Sequence, residues 1–176
     1  MYPFIKLLST VVKAKFRPRL KLADESVLHL RVGFMDVDIF GELNNARYFN
    51  LMELGRWDYS QRVGFISVIR KHGWGLAVGG ASIRYRRRIP FLQKFTMTSK
   101  IICHDGRWIY FLQETHRKDQ ICSSALMKVC VTSKQGLVPA PEVLEALGAE
   151  DNFATIPDWV SAWIEAESQR PWPLSS

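Results

Sequence analysis

Asp36-Val37-Asp38-Ile39-Phe40-Gly41-Glu42-Leu43-Asn44-Asn45-Ala46-Arg47-Tyr48 is the stretch around which the 176-residue chain is organised. An apolar-alternating run (Leu28, Leu30, Val32, Phe34) leads into it and predicts a strand over 27–36. Gly41 marks a short turn. Asn44 then stands where a helix N-cap is wanted, because its side-chain oxygen can accept an orphan backbone N–H. The next stretch, 45–63, holds no Pro and one Gly. Tyr48, Phe49, Leu51, Met52, Leu54 and Trp57 make it apolar on nearly every face, which is the pattern of a wrapped helix rather than a surface one. A buried helix thus begins six residues after the Asp38 carboxylate, with its positive end nearby. Such a geometry can hold a carbonyl beside an acid.

Downstream, Gly64 breaks the helix and 65–71 predicts one further helical segment. The rest of the body reads as strands. Over 76–89, Ala81, Ile83, Tyr85 and Ile89 alternate with Ser82, Arg84, Arg86 and Arg88; Arg87 alone breaks the pattern and Pro90 ends it. Strands follow at 94–103, 107–117 and 121–132, joined by turns at Asp105-Gly106 and Asp119-Gln120. One long helix followed by long antiparallel strands predicts an α+β fold in which a strongly curved sheet wraps one central helix. Three stretches are expected: a basic amphipathic extension at 1–24, the body at 25–135, and an acidic helical extension at 136–176 with helices over 142–147 and 158–167.

Length and a hydrophobic content of 47% suit one domain with a good core. The net charge of +7 is unevenly placed: residues 1–23 hold six bases and no acid, and residues 142–167 hold seven acids and no base. A basic body suits an anionic ligand, such as the phosphates of coenzyme A, or an anionic membrane face. Nucleic acid is not expected, since no nucleic-acid motif occurs and no basic helix carries interleaved base-reading residues. The apolar run of the predicted helix 4–17 is too short to span a bilayer, and no signal-cleavage site follows it. Its basic polar face suits either peripheral membrane contact or docking on the body. Cys103, Cys122 and Cys130 lack metal spacing and read as reduced and buried, so a cytoplasmic placement is expected, with peripheral contact at the inner membrane face as the alternative to docking of helix 4–17 on the body or a partner subunit. His29, His72, His104 and His116 are scattered, and neither a metal site nor a cofactor is predicted.

The Asp-x-Asp-x-x-Gly-x-x-Asn-Asn-x-x-Tyr pattern resembles the signature of hotdog-fold acyl-CoA thioesterases of the 4-hydroxybenzoyl-CoA thioesterase type. It is most similar to the branch that includes thioesterase superfamily member six. The resemblance covers 25–135 well and the Trp-Ile-bearing tail weakly. It implies a hotdog fold, an acyl-CoA substrate and a homodimer or homotetramer with the acyl pocket near a subunit interface. It also places Asp38 at the position of the catalytic aspartate. From the residues alone, without the motif, Asp38 reads first as a turn or helix cap. Asp36 reads as a residue that orients the loop, or as a second carboxylate raising a neighbour's pKa.

Glu53, on the buried helix, is a second catalytic candidate, with an ion pair to Arg56 as its alternative. Asn44, Asn45, Ala46, Arg47 and Tyr48 are expected at the ligand, with amides of 45–47 as oxyanion donors and Asn44 and Asn45 also serving as caps. Arg84, Arg86 and Arg88 suit coenzyme A phosphates, or a docked acidic tail. Glu42 departs from the family pattern, which usually carries His there. That departure keeps open a non-catalytic acyl-binding or scaffold protein. A hotdog dehydratase ranks last, since it usually needs a His that the motif loop lacks.

Overall fold

Gly55 shows how closely the central helix rides on the sheet. A Cβ built there would stand 2.5 Å from Ser99 Oγ, 2.9 Å from Gln113 Nε2 and 3.1 Å from Met97 Sδ. The computed structural model describes residues 4–150 and 152–171. Its elements run α1 (Phe4–Phe16), β1 (Ser26–Arg31), a 3-10 turn (Phe34–Asp36), α2 (Asn45–Arg62), α3 (Phe65–His72) and β2 (Gly75–Tyr85). Then come β3 (Lys94–His104), β4 (Ile109–Arg117), β5 (Gln120–Ser133), β6 (Gly136–Val138), α4 (Ala140–Ala146) and α5 (Asp158–Ser168). The strands form one antiparallel sheet in the order β1-β3-β4-β5-β2, with β6 added on β5. The sheet curls around α2, giving the expected hotdog architecture.

The inner face of the sheet and α2 share two apolar clusters. Tyr59 packs with Ile101, Phe111, Met127 and Val129 at one end, and Leu51, Met52 and Leu54 with Val32, Phe95 and Met97 at the other. Burying a Leu or Met side chain of this kind stabilises by about 1.5–3 kcal/mol. Gln113 is buried between helix and sheet, and it is fully satisfied. Its amide donates to the Met52 carbonyl and to Ser99 Oγ, each at 2.8 Å, and its oxygen accepts from Arg56 Nη1 at 2.7 Å. A polar group in that position costs little only when all its bonds are made.

The N-terminal helix covers α2 from the other side. Leu7 and Ala14 face inward, and charged staples fasten both ends. Lys6 donates to the Asp36 carboxylate near the start. Arg17 donates to Asp58 Oδ1 at 2.8 Å and to the Val27 carbonyl at 2.7 Å near the finish. Among the described residues no helix is long and apolar enough to cross a membrane.

Two strand ends and one added strand depart most from the sequence reading, beside shifts of one or two residues at other element ends. The first strand stops at Arg31 instead of 36, because the chain turns into the 3-10 segment, where the Gly33 N–H donates to Asp36 Oδ2 at 3.0 Å. Asp36 and Asp38 therefore do not share a strand face. β2 stops at Tyr85 instead of 89, since the Arg86 and Arg87 amides both donate to the Cys122 carbonyl. The short strand β6 was not anticipated; three residues after a turn carry no readable alternation.

Candidate functional site

Local backbone chemistry builds the motif loop. Val37 pairs with Leu43 as an antiparallel bridge, the Asp38 N–H donates to the Glu42 carbonyl at 3.0 Å, and the Gly41 N–H returns to the Asp38 carbonyl at 3.1 Å. The result is a tight hairpin whose last turn residue, Gly41, sits at φ +72°, a conformation that side chains with a Cβ rarely tolerate. The hairpin is strapped to the segment after β2: Leu43 N–H donates to Ile89 O and Phe91 N–H to Gly41 O, each at 2.9 Å. Asn44 N–H donates to the Asp36 carbonyl at 2.9 Å, which joins the loop's end to its start.

Asp36 is wholly buried beneath this loop. Its Oδ2 accepts from Lys6 and the Gly33 amide, and its Oδ1 from Arg47 Nη2 at 2.9 Å and Nε at 3.3 Å. Burial pushes this carboxyl's pKa up, but the bonds from Lys6, Gly33 and Arg47 outweigh burial and hold it below the ordinary carboxylate range. Arg47, expected at the ligand, is thus turned inward onto Asp36.

Asp38 is half-buried at the rim. Its Oδ1 accepts from the Phe40 N–H at 2.9 Å and more weakly from Glu42 N–H at 3.4 Å, while Oδ2 has no hydrogen-bond partner among the described residues. Phe34, Met35, Ile39 and Phe40 stand exposed around it, Ile39 at 93% and Phe40 at 79%. Large apolar side chains grouped in this way mark a binding surface.

The helix start lies directly after the hairpin. Asn44 caps it as expected, with Oδ1 accepting from Ala46 N–H at 2.9 Å and its carbonyl from Arg47 N–H at 2.9 Å. Two of the three amides read as oxyanion donors are therefore engaged already, which leaves the Asn45 N–H. Tyr48 is buried, edge-on to Tyr85 at 5.1 Å between centroids, and burial pushes its phenol pKa well up. The Tyr85 hydroxyl donates to the Asn45 carbonyl at 3.1 Å, so the end of β2 is tied to the start of α2.

Glu53 is half-buried and accepts from Trp57 Nε1 at 3.4 Å, while Arg56 reaches to Gln113. The expected Glu53–Arg56 pair is replaced by these contacts. Glu53 lies about 13 Å along the helix from Asn44, from the rise per residue, so one protomer does not bring it to the helix start. Glu42, in the position where the family pattern has His, faces Arg88 at 3.8 Å. Arg88 consequently stands apart from Arg84 and Arg86. Those two, with Arg87, line a cavity of about 930 Å³ on the outer sheet face beside Trp159 and Trp163. Arg87, the residue that broke the alternation, joins them because the strand has ended before it. Among the described residues no cluster could hold a metal ion.

A curled antiparallel sheet wrapped on a buried helix is the hotdog architecture. The chain belongs to the thioesterase-like superfamily, whose family model matches residues 32–164. It is 30% identical over 176 residues to the protein THEM6 of Drosophila melanogaster, covering 95% of this chain and 88% of that one. This agrees with the resemblance to the thioesterase superfamily member six branch. Among solved structures it is similar to YbaW, a probable thioesterase from Escherichia coli, with a TM-score of 0.64 at 23% identity over 69% of this chain and 95% of that one. The 1,4-dihydroxy-2-naphthoyl-CoA thioesterase Slr0204 from Synechocystis superposes with a TM-score of 0.61 at 12% identity, over 70% and 95% of the two chains. These structural likenesses are likenesses of fold.

Proposed function

We propose that the chain hydrolyses an acyl-coenzyme A thioester to a carboxylic acid and free coenzyme A, with Asp38 as general base or nucleophile. The observation that carries this reading is the half-committed Asp38 carboxylate: Oδ1 holds the hairpin and Oδ2 has no hydrogen-bond partner among the described residues. As base, Oδ2 takes a proton from water, the oxygen attacks the thioester carbon, and the carbonyl oxygen gains the negative charge. Asn45 N–H, at the positive end of α2, is the donor for that oxyanion. Collapse breaks the C–S bond, and the leaving thiolate recovers the proton. Asn44 positions this helix start, the exposed Ala46 follows it, and Tyr48, expected at the ligand, is packed into the core behind it.

Two further readings complete the picture. β2 is an edge strand with Leu76 and Val78 exposed, which supports pairing with a second copy in a homodimer or homotetramer. On α1, Phe4, Ile5, Leu8, Val12 and Phe16 point outward beside Lys13 and Lys15, which supports peripheral contact with an anionic membrane face. Three free, buried cysteines support a cytoplasmic setting for that contact. Cosedimentation with anionic vesicles, lost in Ile5→Asp/Phe16→Asp, is the expected behaviour; pelleting unchanged by the substitutions would remove that reading.

The test is thiol release from short, medium, long and aromatic acyl-CoAs, comparing wild type with Asp38→Ala and Asp38→Asn. Loss of about a hundredfold or more in both variants at unchanged folding is expected. Full turnover in both would move the chemistry to Glu53. Acyl-CoA binding without turnover by wild type would favour a non-catalytic binding protein, the reading that Glu42 keeps open.

A further inference from the structure

The acidic tail docks on the outer sheet face without using its acids. Val160, Trp163 and Ile164 of α5 pack on Cys103, Tyr110 and Leu126, with the Trp163 ring edge-on to Tyr110 at 6.3 Å. Two of the three α5 carboxylates turn elsewhere, Glu167 to Arg170 and Glu165 to Gln169, and Asp158 makes no ion pair among the described residues. The guanidinium groups of Arg84, Arg86 and Arg87 consequently have no ion-pair partner among the described residues, although they line the same cavity as Trp159 and Trp163. Carboxylates also reach that lining: Glu114, already facing His116 at 3.4 Å, and Asp119 at the β4–β5 turn. Cationic groups still prevail there. Trp159 leaves 52% of its surface exposed at the cavity mouth, an unusual exposure for an indole on a helix whose other large apolar groups are packed.

We infer that this outer cavity, roofed by α5, is a subsite for the adenosine 3′,5′-bisphosphate half of coenzyme A. Its arginines take the phosphates and the indole of Trp159 takes the adenine face. The inference rests on the thioesterase reading for the identity of the ligand. The chemistry matches on three counts. Guanidinium groups bind phosphate oxygens in a planar fork. An exposed indole stacks on a nucleobase. A cavity of about 930 Å³ falls within the range of small-molecule sites. A fourth observation links the cavity to the thioester: Tyr85 lines it and also donates to the Asn45 carbonyl at the start of α2. The nucleotide subsite and the proposed reaction centre thus meet at a single side chain, and a ligand with a nucleotide at one end and a thioester at the other suits that placement. The C-terminal helix, outside the stretch that carries the catalytic motif, becomes part of the substrate site.

The test uses the full chain and adenosine 3′,5′-bisphosphate as probe, followed by tryptophan fluorescence and calorimetry. Wild type should bind it. Trp159→Ala and the pair Arg84→Gln/Arg86→Gln should each weaken binding about tenfold or more, the scale of one lost stack or phosphate contact. In the same variants KM for acyl-CoA should rise by a similar factor with kcat little changed, while hydrolysis of the matching acyl-pantetheine, which lacks the nucleotide, should not move. Equal affinity in wild type and variants, or no binding, with acyl-CoA hydrolysis intact would overturn the subsite and leave the proposed function standing. Binding that the variants lose, in a protein that hydrolyses no thioester, would uphold the subsite and overturn the proposed function. Trp159 and the arginines are partly or largely exposed, so melting curves close to wild type are expected and verify that the variants fold.

Discussion

Asp36 and Asp38 lie two residues apart on the same loop, and the fold treats them in opposite ways. Asp36 is buried with both oxygens occupied by Lys6, Gly33 and Arg47. Asp38 sits at the rim with one oxygen on the loop amides and the other without a partner among the described residues. A carboxylate whose lone pairs are all engaged stabilises structure but has nothing left to offer a substrate. One that is only half engaged is oriented and still able to accept a proton. The comparison separates a residue that builds the site from one suited to act in it, which residue type alone does not do.

The largest effect should come from Asp36→Ala. It leaves Lys6 and Arg47 facing a buried gap, and breaking a buried ion pair in this way costs about 3–5 kcal/mol; chemical denaturation should show that loss. Unchanged stability would remove Asp36 from its structural role. Asp38→Asn should do the reverse, lowering turnover by about a hundredfold or more while shifting stability by less than about 1 kcal/mol. If it lowered stability as much as Asp36→Ala, the two carboxylates would no longer be distinct in role.

A pH titration of stability sharpens the contrast. The folded Asp36 carboxyl lies below its unfolded value, so its contribution is complete above the unfolded pKa and drains as pH falls through the folded one. Wild type should therefore lose stability as pH falls below about 4, and Asp36→Asn should show a flatter slope. The smallest effect is expected from Lys6→Ala. Lys6 is itself partly exposed, so its loss should cost about 1 kcal/mol and leave kcat unchanged. A large fall in kcat would mean that α1 shapes the reaction centre.

Much of this was legible before any coordinates. The apolar run of Tyr48, Leu51, Met52 and Leu54 announced a wrapped helix, and Asn44 its cap, because burial and capping leave marks on local residue choice. The strand alternation around Ile83, Phe95, Met97 and Phe111 did the same for the inner sheet face. The end of the first strand was misplaced, since a strand that stops at Arg31 and one that continues to 36 have the same alternation up to the turn. Arg47 and Arg88 were read as ligand-facing for a related reason. Charge is visible in a sequence, but the carboxylate that captures it, Asp36 for one and Glu42 for the other, is set by packing. The Trp159 and Arg84 cavity was beyond sequence reasoning, because its parts come from segments about seventy residues apart and meet only where α5 lies down on β2 and β5.

The sequence by itself determined the wrapped and capped central helix, the run of strands after it and the turn at Gly41, because each is written in contiguous residues through periodicity, caps and turns; the fold family was legible through the resemblance carried by the Asp36–Tyr48 motif. Only the tertiary structure decided which aspartate is buried and which is free, and which arginines remain unpaired. Those properties depend on the groups that long-range packing brings within hydrogen-bonding distance. Burial and pairing, unlike helix and strand periodicity, are set by neighbours far along the chain.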